Sequence, residues 1–332
     1  MKIGFYGLKE QEKRDYFLSS LNGHQLEFID QDLNEENPPQ KNDFEIISIF
    51  VGSKVTAKVL DAFPNLKMIA IRSTGFDNVD IKHTTDKNIV VSNVPSYGSH
   101  TVAEFTFGLI LSLSRKIPQA VSKVKDEVEF DHTGLKGFDI YGKTLGVLGT
   151  GKIGMNVIKI AKGFGMKVLA FDIYPNEESS KVLEFEYVSL EELLKNSDIV
   201  TIHVPSSEKT HHLINKENIF KMKKGSLLIN TARGDIVETD ALYKAISENH
   251  LAGAGLDVLE AETELSDNLK KEEFEPNIMK NILEDSFLIK NPNVVVTPHT
   301  AFYTKEAEES IMKTTVENIL GFINNFPQNT VS

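Results

Sequence analysis

Short β-branched runs alternate with helical patterns along almost the whole chain, and this alternation limits the possible folds more than any other feature. The run at residues 46–51 is apolar apart from one serine, as in a strand that is covered on both faces. Helical patterns between the runs require crossover connections, so parallel strands in an α/β protein are predicted. The predicted strands are residues 2–6, 45–51, 66–71, 89–92, 144–148, 167–171, 199–204, 226–230, 252–258 and 293–297.

Helical patterns fill the intervals, and the chain length of 332 residues favours two domains. The pattern at residues 101–115 is apolar nearly all round, which predicts a buried helix. Pro118 is expected to mark the end of this helix, because proline interrupts the hydrogen bonding of a helix interior. A last amphipathic helix is predicted at residues 304–324.

The charge balance argues against two classes of partner. The chain has 36 basic and 48 acidic residues, and its net charge of −12 argues against nucleic acid and against an anionic membrane surface as partners.

The longest uncharged apolar stretch, residues 105–114, is too short to span a bilayer. Without cysteine the chain has no disulfide, thiolate or cysteine-ligated zinc, and we predict no metal site. The first residues resemble a strand rather than a signal peptide, so a cytoplasmic location is expected.

Arginine is rare in this chain, which uses lysine for ordinary surface charge. We therefore expect arginines to be placed for the planar, two-pronged donor geometry that lysine lacks. The four arginines are Arg14, Arg72, Arg115 and Arg233.

Three glycines follow the predicted strand 144–148 and precede a helical pattern. Gly149 permits a tight turn, Gly151 lets a ligand approach the backbone, and Gly154 lets the helix pack closely on the strand. Asp172 ends the next predicted strand, 18 residues after Gly154, where a carboxylate accepts hydrogen bonds from an adenosine ribose. This combination predicts a dinucleotide site that prefers NAD to NADP. A turn that binds nothing, or a flavin or S-adenosylmethionine site, are the alternatives.

Reduction of a carbonyl group by a nicotinamide cofactor requires a proton donor for the carbonyl oxygen and a cation that holds and polarises the substrate. His299 follows the predicted strand 293–297, so it lies at a carboxyl end, where open α/β sheets bind ligands. Arg233 follows strand 226–230 in the same way and could bind a carboxylate through two hydrogen bonds. A turn histidine and a surface ion pair are the alternatives. A carboxylate beside the histidine would raise its pKa, and the pattern does not choose among Glu260, Glu262 and Glu264.

The segment between Glu262 and Asn291 is rich in glutamate and has no strong strand pattern. We interpret it as a solvated surface excursion. The alternative is a loop near the mouth of an active site.

Several motifs together resemble the D-isomer-specific 2-hydroxyacid dehydrogenases, most of all their D-lactate dehydrogenase branch. The resemblance covers nearly the whole chain and follows the family's order. The motifs are Asn-Val-Pro-Ser-Tyr at 93–97, Thr-Val-Ala-Glu at 101–104, the glycine loop at 149–154, Asn-Thr-Ala-Arg-Gly at 230–234, Gly-Leu-Asp-Val at 255–258 and Pro-His-Thr-Ala-Phe-Tyr-Thr at 298–304.

The resemblance implies a fold of two Rossmann-like domains with parallel sheets. A flavodoxin-like substrate domain would comprise residues 1–99 and 300–332, and an inserted NAD-binding domain residues 100–299. It also favours a homodimer. Helix 101–115 would cross between the domains at the hinge, and the alternative is that it packs on a second subunit.

Site residues also follow from the resemblance. His299 would exchange a proton with the substrate, Glu262 would be its partner, 29 residues after Arg233, and Arg233 would bind the substrate carboxylate. The other implied substrate-binding residues are Thr74, Gly75, Tyr97 and Phe302. The other implied NAD-binding residues are Gly149, Gly151, Lys152, Ile153, Gly154, Asp172, Val204, Pro205, Thr210, Thr231, Ala232, Arg233 and Asp257.

These expectations amount to an oxidoreductase that reduces pyruvate to D-lactate with NADH, reversibly. Reduction of a larger 2-oxo acid is the first alternative, because a methylene changes binding by only about 1–3 kcal/mol. An NAD-sensing binding protein similar to corepressors of this fold is the second, since a fold does not determine a function.

Overall fold

Two units make up the protein, in a computed structural model that describes residues 1–260 and 276–331. The split unit comprises Met1–Tyr97 and Tyr303–Ser332, and the central unit comprises Gly98–Phe302. Each unit contains one sheet in which every described strand pair is parallel, so the predicted α/β class is confirmed.

The split unit has a five-stranded sheet in the order β2-β1-β3-β4-β5, which is the flavodoxin-like order. Alternate residues of a strand point to opposite faces, so Ile46 packs in one apolar cluster while Ile47 and Ile49 pack in another. The strands are β1 (Lys2–Tyr6), β2 (Gln25–Ile29), β3 (Ile46–Ile49), β4 (Met68–Ile71) and β5 (Val90–Ser92). The helices are α1 (Gln11–Ser20), α2 (Ala57–Asp61), α3 (Ile81–Asp86) and, from the second segment, α11 (Lys305–Ile323).

The central unit has a seven-stranded sheet in the order β12-β11-β10-β9-β6-β7-β8, which is a Rossmann order with a seventh strand at one edge. The strands are β6 (Thr144–Leu148), β7 (Lys167–Phe171), β8 (Glu186–Tyr187), β9 (Ile199–Ile202), β10 (Leu227–Asn230), β11 (Gly253–Leu256) and β12 (Val294–Val296). The helices are α4 (Ser99–Ser114), α5 (Ile117–Lys125), α6 (Lys152–Gly163), α7 (Glu177–Leu183), α8 (Leu190–Asn196), α9 (Thr239–Ser247) and α10 (Pro276–Lys290).

Strand register brings the carboxyl ends of the central sheet to one edge. Ile202 is paired with Leu148 and Asn230, and Leu256 is paired with Asn230 and Val296. The loops that follow β6, β9, β10, β11 and β12 therefore start at the same level, and this edge is where an open α/β sheet binds ligands.

Two interpretations of the sequence are wrong in detail. The predicted helix 101–115 is α4, whose inner side is buried, but Pro118 lies in the first turn of α5, where proline is tolerated, rather than ending α4. The segment 262–291 is not a solvated excursion throughout, because α10 buries Glu284, Asp285 and Leu288. Among the described residues no helix is both long and apolar enough to cross a bilayer.

Candidate active site

The glycine loop after β6 has the geometry that its three glycines predict. Gly149 has a φ of +93°, and a Cβ there would lie 2.7 Å from the carbonyl oxygen of His203. A Cβ on Gly154 would lie 2.0 Å from the carbonyl oxygen of Gly149, so α6 packs against the loop as closely as a backbone allows. At Gly151 a Cβ would meet nothing within 4 Å, which leaves the approach to the backbone open.

Helix α6 offers its N-terminus to this open space. Its N-cap is Gly151, which has no side chain to accept the first N–H groups of the helix, and Lys152 and Ile153 begin the first turn. The N–H groups at a helix N-terminus and the helix dipole favour an anion at this point, as a pyrophosphate requires. The residues in this loop therefore fit a dinucleotide.

Asp172 lies directly after β7 with its carboxylate fixed beside the glycine loop. Oδ2 accepts hydrogen bonds from the Thr150 N–H (2.6 Å) and hydroxyl (2.9 Å), and Oδ1 accepts one from the Tyr174 N–H (2.9 Å). Partial burial favours the neutral acid, but these hydrogen bonds prevail and hold the pKa of Asp172 below its usual value. A fixed negative charge here suits ribose hydroxyls and repels a 2′-phosphate.

The loops after β9 and β10 carry the remaining predicted NAD-binding positions. Val204 and Pro205 follow β9, and the Thr210 hydroxyl donates to the Pro205 carbonyl at 2.6 Å, which folds this loop back on itself. The hydroxyls of Thr231 and Thr106 are 3.1 Å apart and join the loop after β10 to α4. Cofactor contacts of these residues and of Ala232 remain predictions.

Arg233 lies in a loop that Asn230 holds at both ends. The Asn230 side chain accepts from the Ala232 N–H (3.0 Å) and donates to the Arg233 carbonyl (2.8 Å). Nη1 of the half-buried Arg233 donates to the Ala232 carbonyl at 2.9 Å. A Cβ on Gly234 would lie 2.1 Å from the Leu259 carbonyl oxygen, so the loops after β10 and β11 pack tightly together.

His299 lies on a turn that the buried Asp257 organises. The Asp257 carboxylate accepts hydrogen bonds from the Thr297 hydroxyl (2.6 Å) and from the N–H groups of Thr300 (2.9 Å) and Ala301 (2.8 Å). The His299 N–H donates to the Asp257 carbonyl at 2.9 Å, and His299 adopts a left-handed φ of +52°. Asp257, predicted as an NAD ligand, therefore holds the turn that carries His299 in this structure.

One of the three carboxylates considered as partners of His299 is hydrogen-bonded elsewhere. Oε1 of Glu260 is 2.6 Å from Nε2 of His212, and Oε2 accepts from the Thr239 N–H and hydroxyl. Burial acts in the opposite direction, but these contacts hold the pKa of Glu260 below its usual value. Glu262 and Glu264 lie outside the described residues.

In the split unit, Thr74 and Gly75 follow β4 on a loop whose side chains are all hydrogen-bonded. The Thr74 hydroxyl donates to the Val94 carbonyl (2.7 Å), and the Thr74 carbonyl accepts from the Asn93 side chain (2.7 Å). Within the described part of the chain, the backbone N–H groups of Thr74 and Gly75 have no acceptor. Two adjacent free donors suit a carboxylate.

The other predicted substrate residues are half-buried. Tyr97 ends the first segment of the split unit, and Phe302 ends the central unit, where its ring centroid is 6.5 Å from that of His299. Their contacts with substrate remain predictions.

Sequence patterns missed the groups that hold these loops. Tyr187 contacts the Thr150 hydroxyl at 2.8 Å, and Asn230 and Asn93 fix the loops that carry Arg233 and Thr74. Asn230 and Asn93 lie in the motifs that carry the resemblance, and an asparagine at the carboxyl end of a strand is the signal that could have identified them.

A Rossmann sheet with an open glycine loop, a carboxylate fixed beside that loop and polar loops at the same edge is typical of a dinucleotide-binding protein. A family model described as D-isomer specific 2-hydroxyacid dehydrogenase, NAD binding domain, matches residues 107–301. The D-lactate dehydrogenase of Escherichia coli is 37% identical over 326 residues, which is 96% of each chain. The aromatic 2-oxoacid reductase of Clostridium sporogenes is 36% identical over 329 residues, covering 97% of this chain and 96% of that protein.

A solved structure of D-lactate dehydrogenase from Aquifex aeolicus, complexed with NAD and lactic acid, matches with a TM-score of 0.88. It is 35% identical and covers 97% of this chain and 96% of its own. The chain belongs to the D-isomer-specific 2-hydroxyacid dehydrogenase family, and its cofactor is NAD.

The close packing at Gly154 generates a prediction. Gly154→Ala should raise the Kd for NADH about tenfold or more, because the new methyl group forces the phosphate-binding loop away from α6. Gly163→Ala is the matched control, since it makes the same change at the other end of α6, in open space. Fluorescence titration with NADH measures both, and equal affinities in the two variants would contradict the role given to Gly154.

Proposed function

We propose that this enzyme is an NAD-dependent D-lactate dehydrogenase, which reduces pyruvate to D-lactate and also runs in reverse. One observation carries the proposal: the loops after β6, β10 and β12 all begin at the same edge of the central sheet, because the last residues of these strands are in register. These loops carry the dinucleotide site, Arg233 and His299. Similarity to D-lactate dehydrogenases over nearly the whole chain favours pyruvate as the substrate.

In this proposal, NADH held at the glycine loop supplies a hydride when bound. His299 donates its proton to the substrate oxygen during reduction and accepts it back during oxidation, as an imidazole near neutral pH can. Glu262 would hold the imidazolium in the right orientation. Asp257 fixes the backbone turn from which the His299 side chain extends.

Arg233 binds the substrate carboxylate and polarises the carbonyl group. A guanidinium forms two parallel hydrogen bonds with a carboxylate, and donors arranged in advance stabilise charge that develops on the oxygen. The free N–H groups of Thr74 and Gly75 bind the same class of anion.

A larger 2-oxo acid is the second candidate substrate, and the similarity to an aromatic 2-oxoacid reductase is what favours it. Loss of NADH absorbance with pyruvate, 2-oxobutyrate and phenylpyruvate decides between the two. The highest kcat/KM with pyruvate would support D-lactate dehydrogenase, and no turnover with any of them would favour an NAD-sensing protein. An enzyme that draws on the cellular NADH pool also fits the proposed cytoplasmic location.

Removal of the proposed proton donor gives the sharpest prediction on activity. His299→Ala should lower kcat for reduction by about 10²–10⁴, because general acid catalysis contributes this much. The Kd for NADH should stay unchanged. His132→Ala, at an exposed position, serves as the control and should retain full activity. A kcat for His299→Ala within tenfold of the wild type would end the assignment of His299.

We also propose that the enzyme is a homodimer that uses helix α5. No residue of α5 is buried, and its apolar side chains Ile117, Val121 and Val124 lie on one face with exposed fractions of 44%, 45% and 41%. An exposed apolar face of this kind marks an interaction surface. A second copy is the occupant that the family resemblance favours.

Val121→Glu should convert the dimer to a monomer of 37.1 kDa, because it buries a charge in the proposed interface. Val182→Glu is the control, since Val182 is also an exposed helical valine of the central unit. Light scattering after size exclusion gives the mass of each protein. A monomeric wild type, or a Val121→Glu variant that remains dimeric, would contradict the proposal.

A further inference from the structure

Arg72 is a buried arginine immediately before the Ser73–Thr74–Gly75 loop. Its side chain extends from the end of β4 across β3 to β1: Nη1 donates to the Ser48 hydroxyl (3.0 Å) and Nη2 to the Tyr6 carbonyl (2.6 Å). Its backbone N–H donates to the Ile49 carbonyl at 2.9 Å. One residue therefore ties together the carboxyl ends of three neighbouring strands, which needs the two-pronged geometry of a guanidinium.

The negative charge of Asp32 favours the charged form of Arg72 without a direct ion pair. Among the described residues no carboxylate oxygen comes within 4.0 Å of the guanidinium. Burial lowers the pKa of Arg72 to about 10, and the negative charges of Asp32 and Glu10 act against this shift. Arg72 therefore stays charged at neutral pH.

Two glycines make the room for the Asp32 carboxylate. A Cβ on Gly7 would lie 2.3 Å from Oδ1, and a Cβ on Gly52 would lie 2.5 Å from Oδ2. Gly7 also has a φ of +65°, a conformation that glycine adopts without strain. The half-buried Asp32 carboxylate therefore packs against the loops that follow β1 and β3.

Stability alone does not explain a charged group at this place. Apolar residues of similar volume usually replace a buried ionic group without loss of stability, so a buried arginine calls for another role. The residues that follow Arg72 carry the two free N–H donors of the split unit, at Thr74 and Gly75.

We propose that Arg72, with Asp32 as its counterion, is a positioning residue that holds the backbone N–H groups of Thr74 and Gly75 where they bind the substrate carboxylate. This inference rests on the proposed reduction of a 2-oxo acid. Arg72 itself is not expected to touch substrate, since it is buried, with 4% of its surface exposed, and its side chain donates to the Ser48 and Tyr6 oxygens.

Arg72→Lys keeps the charge and removes the two-pronged contact. The KM for the 2-oxo acid and the inhibition constant of oxamate, a non-reacting isostere of pyruvate, should each rise about tenfold, because the loop binds the carboxylate in ground and transition states alike. The kcat should stay within about threefold of the wild type. The Kd for NADH should not change, since the glycine loop belongs to the central unit.

Arg115→Lys is the matched control, because Arg115 is exposed in the central unit. Asp32→Asn keeps the shape of the side chain and removes its charge, and it should raise the same two constants. If Arg72→Lys does not fold, the Asp32→Asn variant decides. A merely structural role predicts a lower melting temperature and a smaller active fraction, with KM and oxamate inhibition unchanged, and that result would overturn the inference. Absence of turnover in the wild type would instead overturn the proposed function.

Discussion

The buried carboxylate of Asp257 is the contact on which the candidate site depends most. It accepts three hydrogen bonds from the turn at residues 297–301, and its own carbonyl accepts the N–H of His299. Burial raises the pKa of Asp257, and the three hydrogen bonds and the nearby His299 offset part of that effect. Hydrogen bonds that involve a charged group contribute about 1.5–3 kcal/mol each, enough to hold His299 in a left-handed conformation.

In the split unit a buried charged side chain also fixes a loop at the sheet edge, but there the charge is positive. There a buried guanidinium, Arg72, joins three strand ends beneath the Thr74–Gly75 loop, as Asp257 joins β11 to the turn after β12. Parallel sheets align their carboxyl ends but leave the following loops without backbone partners. Buried polar side chains supply those partners, and they turn a generic sheet edge into loops of fixed geometry.

The sequence predicts the parts of this fold that local patterns determine. The helix predicted at residues 304–324 is α11, with Thr304 and Asn324 as its caps, because an amphipathic period and an N-cap are local signals. The β2 strand was missed, since it is a partly exposed edge strand that pairs with β1 alone. The sequence also predicts the glycine loop and the local geometry at each of its three glycines. The functions of Asp257 and Arg72 could not be predicted, because the hydrogen-bond partners of their side chains are 40 or more and 24 or more residues away along the chain.

Hydride and proton delivery to the carbonyl group of a 2-oxo acid is the central claim, and isotope transfer tests it most directly. The enzyme is incubated with pyruvate and with NADH that carries deuterium at both C4 positions. The lactate enantiomers are then separated by chiral chromatography, and their deuterium content is measured by mass spectrometry. The account predicts D-lactate with one deuterium on C2. The L-isomer, or lactate without deuterium, would contradict it.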